Sequence, residues 1–187
     1  MTITIPATLA ALSGTYALDP AHTRIGFVAR HAMVTKVRGQ FNEFEGSAVV
    51  AGTDITKSSA QLTIQAASID TRNEQRDAHL RSNDFLALEE YPQITFVSTD
   101  VRQTDETTLE VTGDLTVRGV TKSVTVPFEF QGAATDPFGN LRVGFEGSVV
   151  INRKDYGVSW NAALKAGGVL VSEKVTLEFE ISAIKTA

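Results

Sequence analysis

The chain has 187 residues, 17 Lys plus Arg against 22 Asp plus Glu, 42% apolar residues and no cysteine. A net charge of −5 offers no basic field for gripping phosphates, so nucleic-acid binding is excluded from the expectations. The absence of Cys removes disulfides, thiolate metal sites, Fe–S clusters and a Cys nucleophile together, and the apolar content is too high for a disordered chain.

Read in order, the first stretch that resembles a secretory signal is Ile3–Leu12, but Thr4, Pro6 and Thr8 break it and the first positive side chain is Arg24. Such a signal wants a basic start and an uninterrupted apolar run. The expectation is therefore a cytoplasmic protein with a partly ordered leader over 1–14 and one domain over 15–187. No stretch approaches the roughly 20 apolar residues of a membrane span, so stable membrane insertion is not expected.

Period-two alternation then dominates. A short strand is expected at 15–18, followed by one at 22–31 carrying Ile25, Phe27 and Ala29. At 39–50, Phe41 falls out of phase with Phe44, Gly46, Ala48 and Val50, which predicts a bulge. Strands follow at 60–67, 93–102, 109–118, 124–131, 141–151 and 175–183, each with one apolar and one polar or small face, the mark of antiparallel sheet. The run Asp136-Pro137-Phe138-Gly139-Asn140 is a strong reversal, because Pro sets φ and Gly accepts positive φ.

The segment 72–90 breaks the pattern. Thr71-Arg72-Asn73-Glu74 reads as a capping box ahead of a helix over about 72–82, with Asp77 and Arg81 at i,i+4. A second short turn over 83–90 ends at Tyr91-Pro92, since the residue before Pro avoids the helical region. Eight long antiparallel strands with one helical insert admit either a sandwich or a closed barrel. Inward positions mix Phe and aliphatics with Ala29, Ala48, Ala66, Gly113 and Gly147, which is compatible with an apolar tunnel.

The residues offer little catalytic chemistry. The three histidines are His22, His31 and His79; His22 and His31 stand roughly 30 Å apart by strand rise, too far to share a metal. Asp77 and His79, at i,i+2 on a helix, face different directions. No metal and no cofactor is expected. Arg153, in Asn152-Arg153-Lys154-Asp155-Tyr156-Gly157, is read as a structural ion pair with Asp155 or an insert carboxylate, with an anionic headgroup at a barrel mouth as the alternative. Trp160 serves equally as a rim anchor or a core residue. An enzyme acting on a small or isoprenoid substrate through Asp77, His79 or Arg153 is one rival reading. An interaction module with a solidly packed interior is another.

In order along the chain stand Tyr16-Ala17-Leu18-Asp19 with His22-Thr23, Phe27 and His31, Gly39-Gln40-Phe41, Ile69-Asp70-Thr71 and Arg76-Asp77-Ala78-His79-Leu80. Asn83-Asp84-Phe85, Tyr91-Pro92-Gln93-Ile94-Thr95-Phe96, the block Gly113–Thr121, the reversal Asp136–Asn140 and the block Ile151–Gly157 complete the series. By these blocks, from about Tyr16 to Ile184, the sequence resembles the YceI-like family. The resemblance implies an all-β fold: an extended, lipocalin-like, eight-stranded antiparallel barrel holding a polyisoprenoid or comparable apolar chain. It also implies a homodimer and a non-enzymatic carrier of a long lipid such as an isoprenoid quinone or its precursor. On inward phase, the expected wall comprises Phe27, Phe44, Phe96, Leu115, Val126, Phe128, Phe145, Val149 and Phe179, with Arg153 and Trp160 as headgroup or rim candidates.

Overall fold

A computed structural model describes residues 9–187. The expected leader over 1–14 lies outside the described residues as far as position 8. Eleven strand segments form one antiparallel sheet: β1 (Gly14–Leu18), β2 (Arg24–His31), β3 (Thr35–Phe41), β4 (Phe44–Val50), β5 (Ser59–Gln65), β6 (Ile69–Asp70), β7 (Gln93–Gln103), β8 (Thr108–Val117), β9 (Val120–Thr135), β10 (Leu141–Asn152) and β11 (Lys174–Lys185). β1 pairs with β4 on one side and with β11 on the other, which closes the sheet on itself. β11 carries β1 on its last residues and β2 on its first, so β1 and β2 are two pieces of one wall strand. β3 and β4 are likewise one strand, as are β5 and β6. The wall is thus a closed antiparallel barrel of eight strands with one α-helix outside it, and closure leaves few edges to protect.

The interruptions follow the apolar phase. Side chains alternate strictly along a strand, so a residue run that changes from even to odd inward positions must be broken or bulged. Phe41 and Phe44 both reach apolar clusters because β3 stops and β4 starts around Asn42–Glu43. Phe96 and Val101 both line the interior because the β7–β8 register slips between Ser98 and Asp100. Phe130 and Ala133 share a cluster because the β9–β10 register slips beside Gly132, whose φ is 130°. The bulge expected near Phe41 is one of three such switches.

One end of the barrel is closed by a 3₁₀ turn at Leu9–Leu12, whose Leu9 and Leu12 are buried with Tyr16, Leu109, Ala133, Val143 and Ala183. The Tyr16 hydroxyl donates to the Leu12 carbonyl at 2.8 Å, which pins this plug to the wall. Arg142 ties the same end together. Its Nη1 donates to Asp19 at 2.6 Å and its Nε to Asp136 at 2.8 Å, joining the chain after β1 to the β9–β10 reversal. Arg142 and His22 hold the Asp19 carboxyl down to about 2. Asp136 also sits at about 2, chiefly through the amide it accepts from Asn140 and then through Arg142.

The other end is covered by the insert. α1 spans Glu74–Arg81 and sets Leu80 against the core, and the turns after it add Phe85, Leu86 and Leu88. Its N-cap is Asn73, which accepts from the Arg76 amide, and not the Thr71 of the expected capping box. Thr71 is instead buried beneath the helix, where its amide and hydroxyl donate to the Asp77 carboxylate. The expected Asp77–Arg81 pair is absent for the same reason: Asp77 turns inward to Thr71, and Arg81 donates to the carbonyls of Ala67 and Ile69. Among the described residues no helix is long and apolar enough to cross a membrane.

Candidate functional site

Inside the barrel runs a cavity of about 330 Å³. It reaches from Tyr16, Val143 and Ala183 at the plugged end to Leu80, Phe85 and Arg153 under the insert, so it extends along the barrel. Its wall is almost wholly aliphatic and aromatic; Arg153 is its one charged residue among the described residues.

How the space stays open is written in pairs of neighbouring strands. Phe27 lies directly opposite Gly39, Phe96 beside Gly113, and Phe128 opposite Gly147. A Cβ added at any of these glycines would fall within 3 Å of the phenyl ring. Each ring therefore lies down on a bare stretch of backbone instead of standing across the lumen, a use of Gly for close approach. Phe128 also meets Phe179 at 5.8 Å between centroids, and Phe130 meets Phe145 at 5.3 Å, so the rings tile the wall in tilted contacts that aromatic pairs favour.

Of the expected wall, Phe27, Phe96, Leu115 and Val126 line the cavity, as do Phe128, Phe145, Val149 and Phe179. Phe44 does not: it follows directly on the break at Asn42–Glu43 and packs into the cluster of Ile64 and Ile94. Inward phase places a side chain on the right face but does not tell whether it meets a void or a neighbour. The cap residues Leu80, Phe85, Tyr156, Val158 and Val171 were not anticipated. The apolar run Phe85-Leu86-Ala87-Leu88 in an otherwise polar insert was the available signal. Burial pushes the Tyr156 hydroxyl pKa up, with Asp155 adding to the effect.

Arg153 is buried, but the ion pair expected with Asp155 or an insert carboxylate is not what holds it. Its Nε donates to the Ser172 carbonyl at 2.8 Å, Nη1 to Val158 and Trp160 at 2.7 and 2.9 Å, and Nη2 to Val171 at 3.2 Å. One guanidinium thereby gathers both strands of the loop 157–173 over the barrel end. A planar fork of donors suits that task, because backbone carbonyls at a chain crossing lie outside any strand ladder and need donors from side chains; the Val171 carbonyl accepts from the Asn161 side-chain amide as well, at 2.8 Å. Desolvation lowers the Arg153 pKa, opposed by the charge of Glu173, yet guanidinium stays protonated in proteins.

Trp160 is absent from the cavity wall. Its ring meets His79 at 4.6 Å and Phe85 at 5.4 Å, so it belongs to the layer that clamps insert to loop. His79 stands edge-on to Phe85 at 4.9 Å, and its Nε2 lies 2.7 Å from Asp84. Asp77 thus engages Thr71, while His79 and Arg153 meet at Trp160 only through its ring and its carbonyl respectively, each in a packing or tying role. No group of three or more metal-ligating side chains is assembled among the described residues.

A closed antiparallel barrel around a long apolar cavity, with a helix and loop over one end, defines a lipocalin-like binding fold. The YceI-like domain family matches residues 16–183, and the chain belongs to that family. It is 40% identical over 166 residues to a UPF0312 protein of Staphylococcus epidermidis, covering 88% of this chain and 93% of that one. Among solved structures it is similar to BcnA of Burkholderia cenocepacia, with a TM-score of 0.78 and 25% identity over 88% of this chain and 98% of that one. A protein of Saccharophagus degradans described as a polyisoprenoid binding domain shares the fold, with a TM-score of 0.70 and 16% identity over 91% and 98% of the two chains.

Proposed function

We propose that this protein is a non-enzymatic binder or carrier of one long apolar chain, a polyisoprenoid, isoprenoid quinone or precursor, held along the barrel axis. The carrying observation is the apolar cavity that runs from the Leu12–Tyr16 plug to the insert. Burying a CH₂ is worth roughly 0.8 kcal/mol, so a dozen buried groups give on the order of 10 kcal/mol gross. Ordering a flexible chain and removing its translation take back much of that. Useful affinity then needs length and girth more than polar contacts, and discrimination between chains differing by one methylene is weak. The BcnA and S. degradans structures show the same fold, and the description of the latter as a polyisoprenoid binding domain agrees with this class of cargo.

Arg153 is the candidate for the polar end of the cargo. Four of its N–H donors are committed to carbonyls, and a guanidinium has five. The fifth suits a carbonyl or hydroxyl acceptor at the capped end. The involvement of Asp77 and His79 in packing the insert supports the non-enzymatic reading. Protein purified without denaturation is expected to yield an extractable isoprenoid or acyl lipid and a matching mass increment in native mass spectrometry. Phe145→Glu, which puts a carboxylate into the wall, is expected to remove it. Wild-type protein that is empty by both methods, and that gains no thermal stability from added long-chain isoprenoids, would falsify the reading.

A further inference from the structure

A lipid cargo held in water must be loaded from somewhere, and the charge pattern at the capped end identifies where. Residues 20–42 contain Arg24, Arg30, Lys36 and Arg38 and no Asp or Glu; residues 156–172 contain Lys165 and again no acid. In a chain of net charge −5 these two acid-free stretches are brought together by the fold. His31 bridges to Val171, the Ala32 amide donates to Leu170, and the Ser172 amide donates to Arg30. Val171 is also part of the cavity wall. The β2–β3 hairpin and the loop therefore form one surface beside the capped end of the cavity.

This surface breaks local rules that ordinary hairpins obey. Arg30 and Lys36 are directly opposite one another across β2 and β3, an arrangement that destabilises a sheet. Arg30, Lys36 and Lys165 form no ion pair among the described residues, while Arg24 and Arg38 share Glu178 at 3.8 and 3.7 Å. At the tip, Ala32 and Met33 both have positive φ, 50° and 64°, in a turn where Asn and Gly are the usual occupants. Met33 is 59% and Val34 73% exposed, so although the Met33 sulfur rests beside Gly168 of the loop, the strained turn leaves two apolar side chains largely in water. Over Thr35–Gly39, β3 has no strand on its second side among the described residues, and guarding that edge would account for Lys36 and Arg38. It does not account for the exposed apolar surface of Met33 and Val34.

We propose that the β2–β3 tip and the 156–172 loop dock the protein on the surface of a bilayer containing anionic lipid. Met33 and Val34 enter the headgroup layer, and Arg30, Lys36 and Lys165 face the lipid phosphates. Two apolar side chains on a basic ring are a peripheral device and not a spanning one, and each basic residue near an anionic surface contributes about 1 kcal/mol. The proposal rests on the lipid-cargo reading, since it is the adjacency of this surface to the cavity that gives the docking a purpose.

The test is co-sedimentation of the full chain with vesicles of phosphatidylcholine alone and of phosphatidylcholine with about one-third phosphatidylglycerol. Binding is expected to the second and not the first, and to fall when ionic strength rises from about 0.1 to 1 M, which shortens the screening length from ~10 to ~3 Å. Arg30→Gln with Lys36→Gln is expected to lower partitioning by about 30-fold, at ~1 kcal/mol per charge removed. Met33→Ser with Val34→Ser is expected to abolish pelleting with the far-ultraviolet spectrum unchanged. Phe138→Ser removes the 88% exposed ring of the β9–β10 turn, at the opposite end, and is expected to bind as wild type.

Native mass spectrometry on the same preparations separates the two ideas. Protein that carries lipid yet ignores anionic vesicles overturns the docking surface and leaves the cargo reading standing. Protein that pellets through Met33 and Val34 but never carries lipid supports the surface and refutes the cargo. Loss of pelleting in Phe138→Ser alone, or a change of oligomeric state in the Met33/Val34 variant without loss of pelleting, also overturns it.

Discussion

Arg153→Met removes a side chain of similar length whose four donors hold the loop 157–173 over the barrel end. Each carbonyl left without its partner loses about 1 kcal/mol or more; Val171 keeps the Asn161 amide, so the gross loss is roughly 3–4 kcal/mol. Part of that is offset, because a buried guanidinium with no carboxylate in contact carries a desolvation penalty that Met does not. A net loss of about 2–3 kcal/mol follows, which for a chain of this size lowers Tm by roughly 5–10 °C. The loss is local in origin. Amide exchange is expected to accelerate most at Val158, Trp160, Val171 and their neighbours, and least in the plug around Leu12 and Tyr16. Any bound chain is expected to dissociate faster, because Tyr156 and Val158 form part of the cavity cap. Arg153→Lys should recover only a fraction, since one ammonium cannot span carbonyls contributed by four residues. The assays are thermal denaturation, hydrogen exchange by mass spectrometry and ligand off-rate. Unchanged exchange in 157–173 with an unchanged Tm would refute the reasoning. So would full rescue by Lys, because either result would mean that the guanidinium does not pin the cap.

Gly113→Val places a branched side chain against the Phe96 ring and the Val97 carbonyl. Overpacking of this kind destabilises by about 1–3 kcal/mol, and the displaced ring is expected to enter the lumen and weaken lipid retention, as read by native mass spectrometry. The Asp19 and Asp136 carboxyls are depressed to about 2 in the folded protein against an unfolded value near ~3.9. Their contribution is therefore full above the unfolded value and is lost as pH falls toward 2. Denaturant titrations between pH 5 and pH 2, taken as approximate bounds, should show stability falling in wild type and falling less in Arg142→Gln. An identical pH slope in both proteins would remove Arg142 as a cause.

Much of the barrel could be read directly from the chain. Period-two alternation marks all eight wall strands, and the phase slip at Phe41 and Phe44 marks one of three interruptions, because side-chain direction along a strand is a local property. The helical insert was legible from its polar break and from Tyr91-Pro92. Its cap was misassigned by two residues: Thr71 has the chemistry of a cap, but tertiary contact diverts it to Asp77, leaving Asn73 for the first turn. Phase also places eight of the nine expected wall residues beside the cavity, since a residue on the inner face of a barrel strand has only the interior to face.

What the chain alone could not decide is which inward residues meet a void, and what holds the void open and closed. Phe44 has the same phase as its wall neighbours and packs against Ile64, a matter of where strands 20 residues apart come to rest. The Phe-over-Gly pairs depend on cross-strand register between β2 and β3, β7 and β8, and β9 and β10. Arg153 finds backbone carbonyls and no carboxylate, and carbonyls have no signature in a sequence. Alternation is set by the geometry of one strand. Cavities, caps and mouths are set by the distances between strands, and those exist only once the sheet has closed.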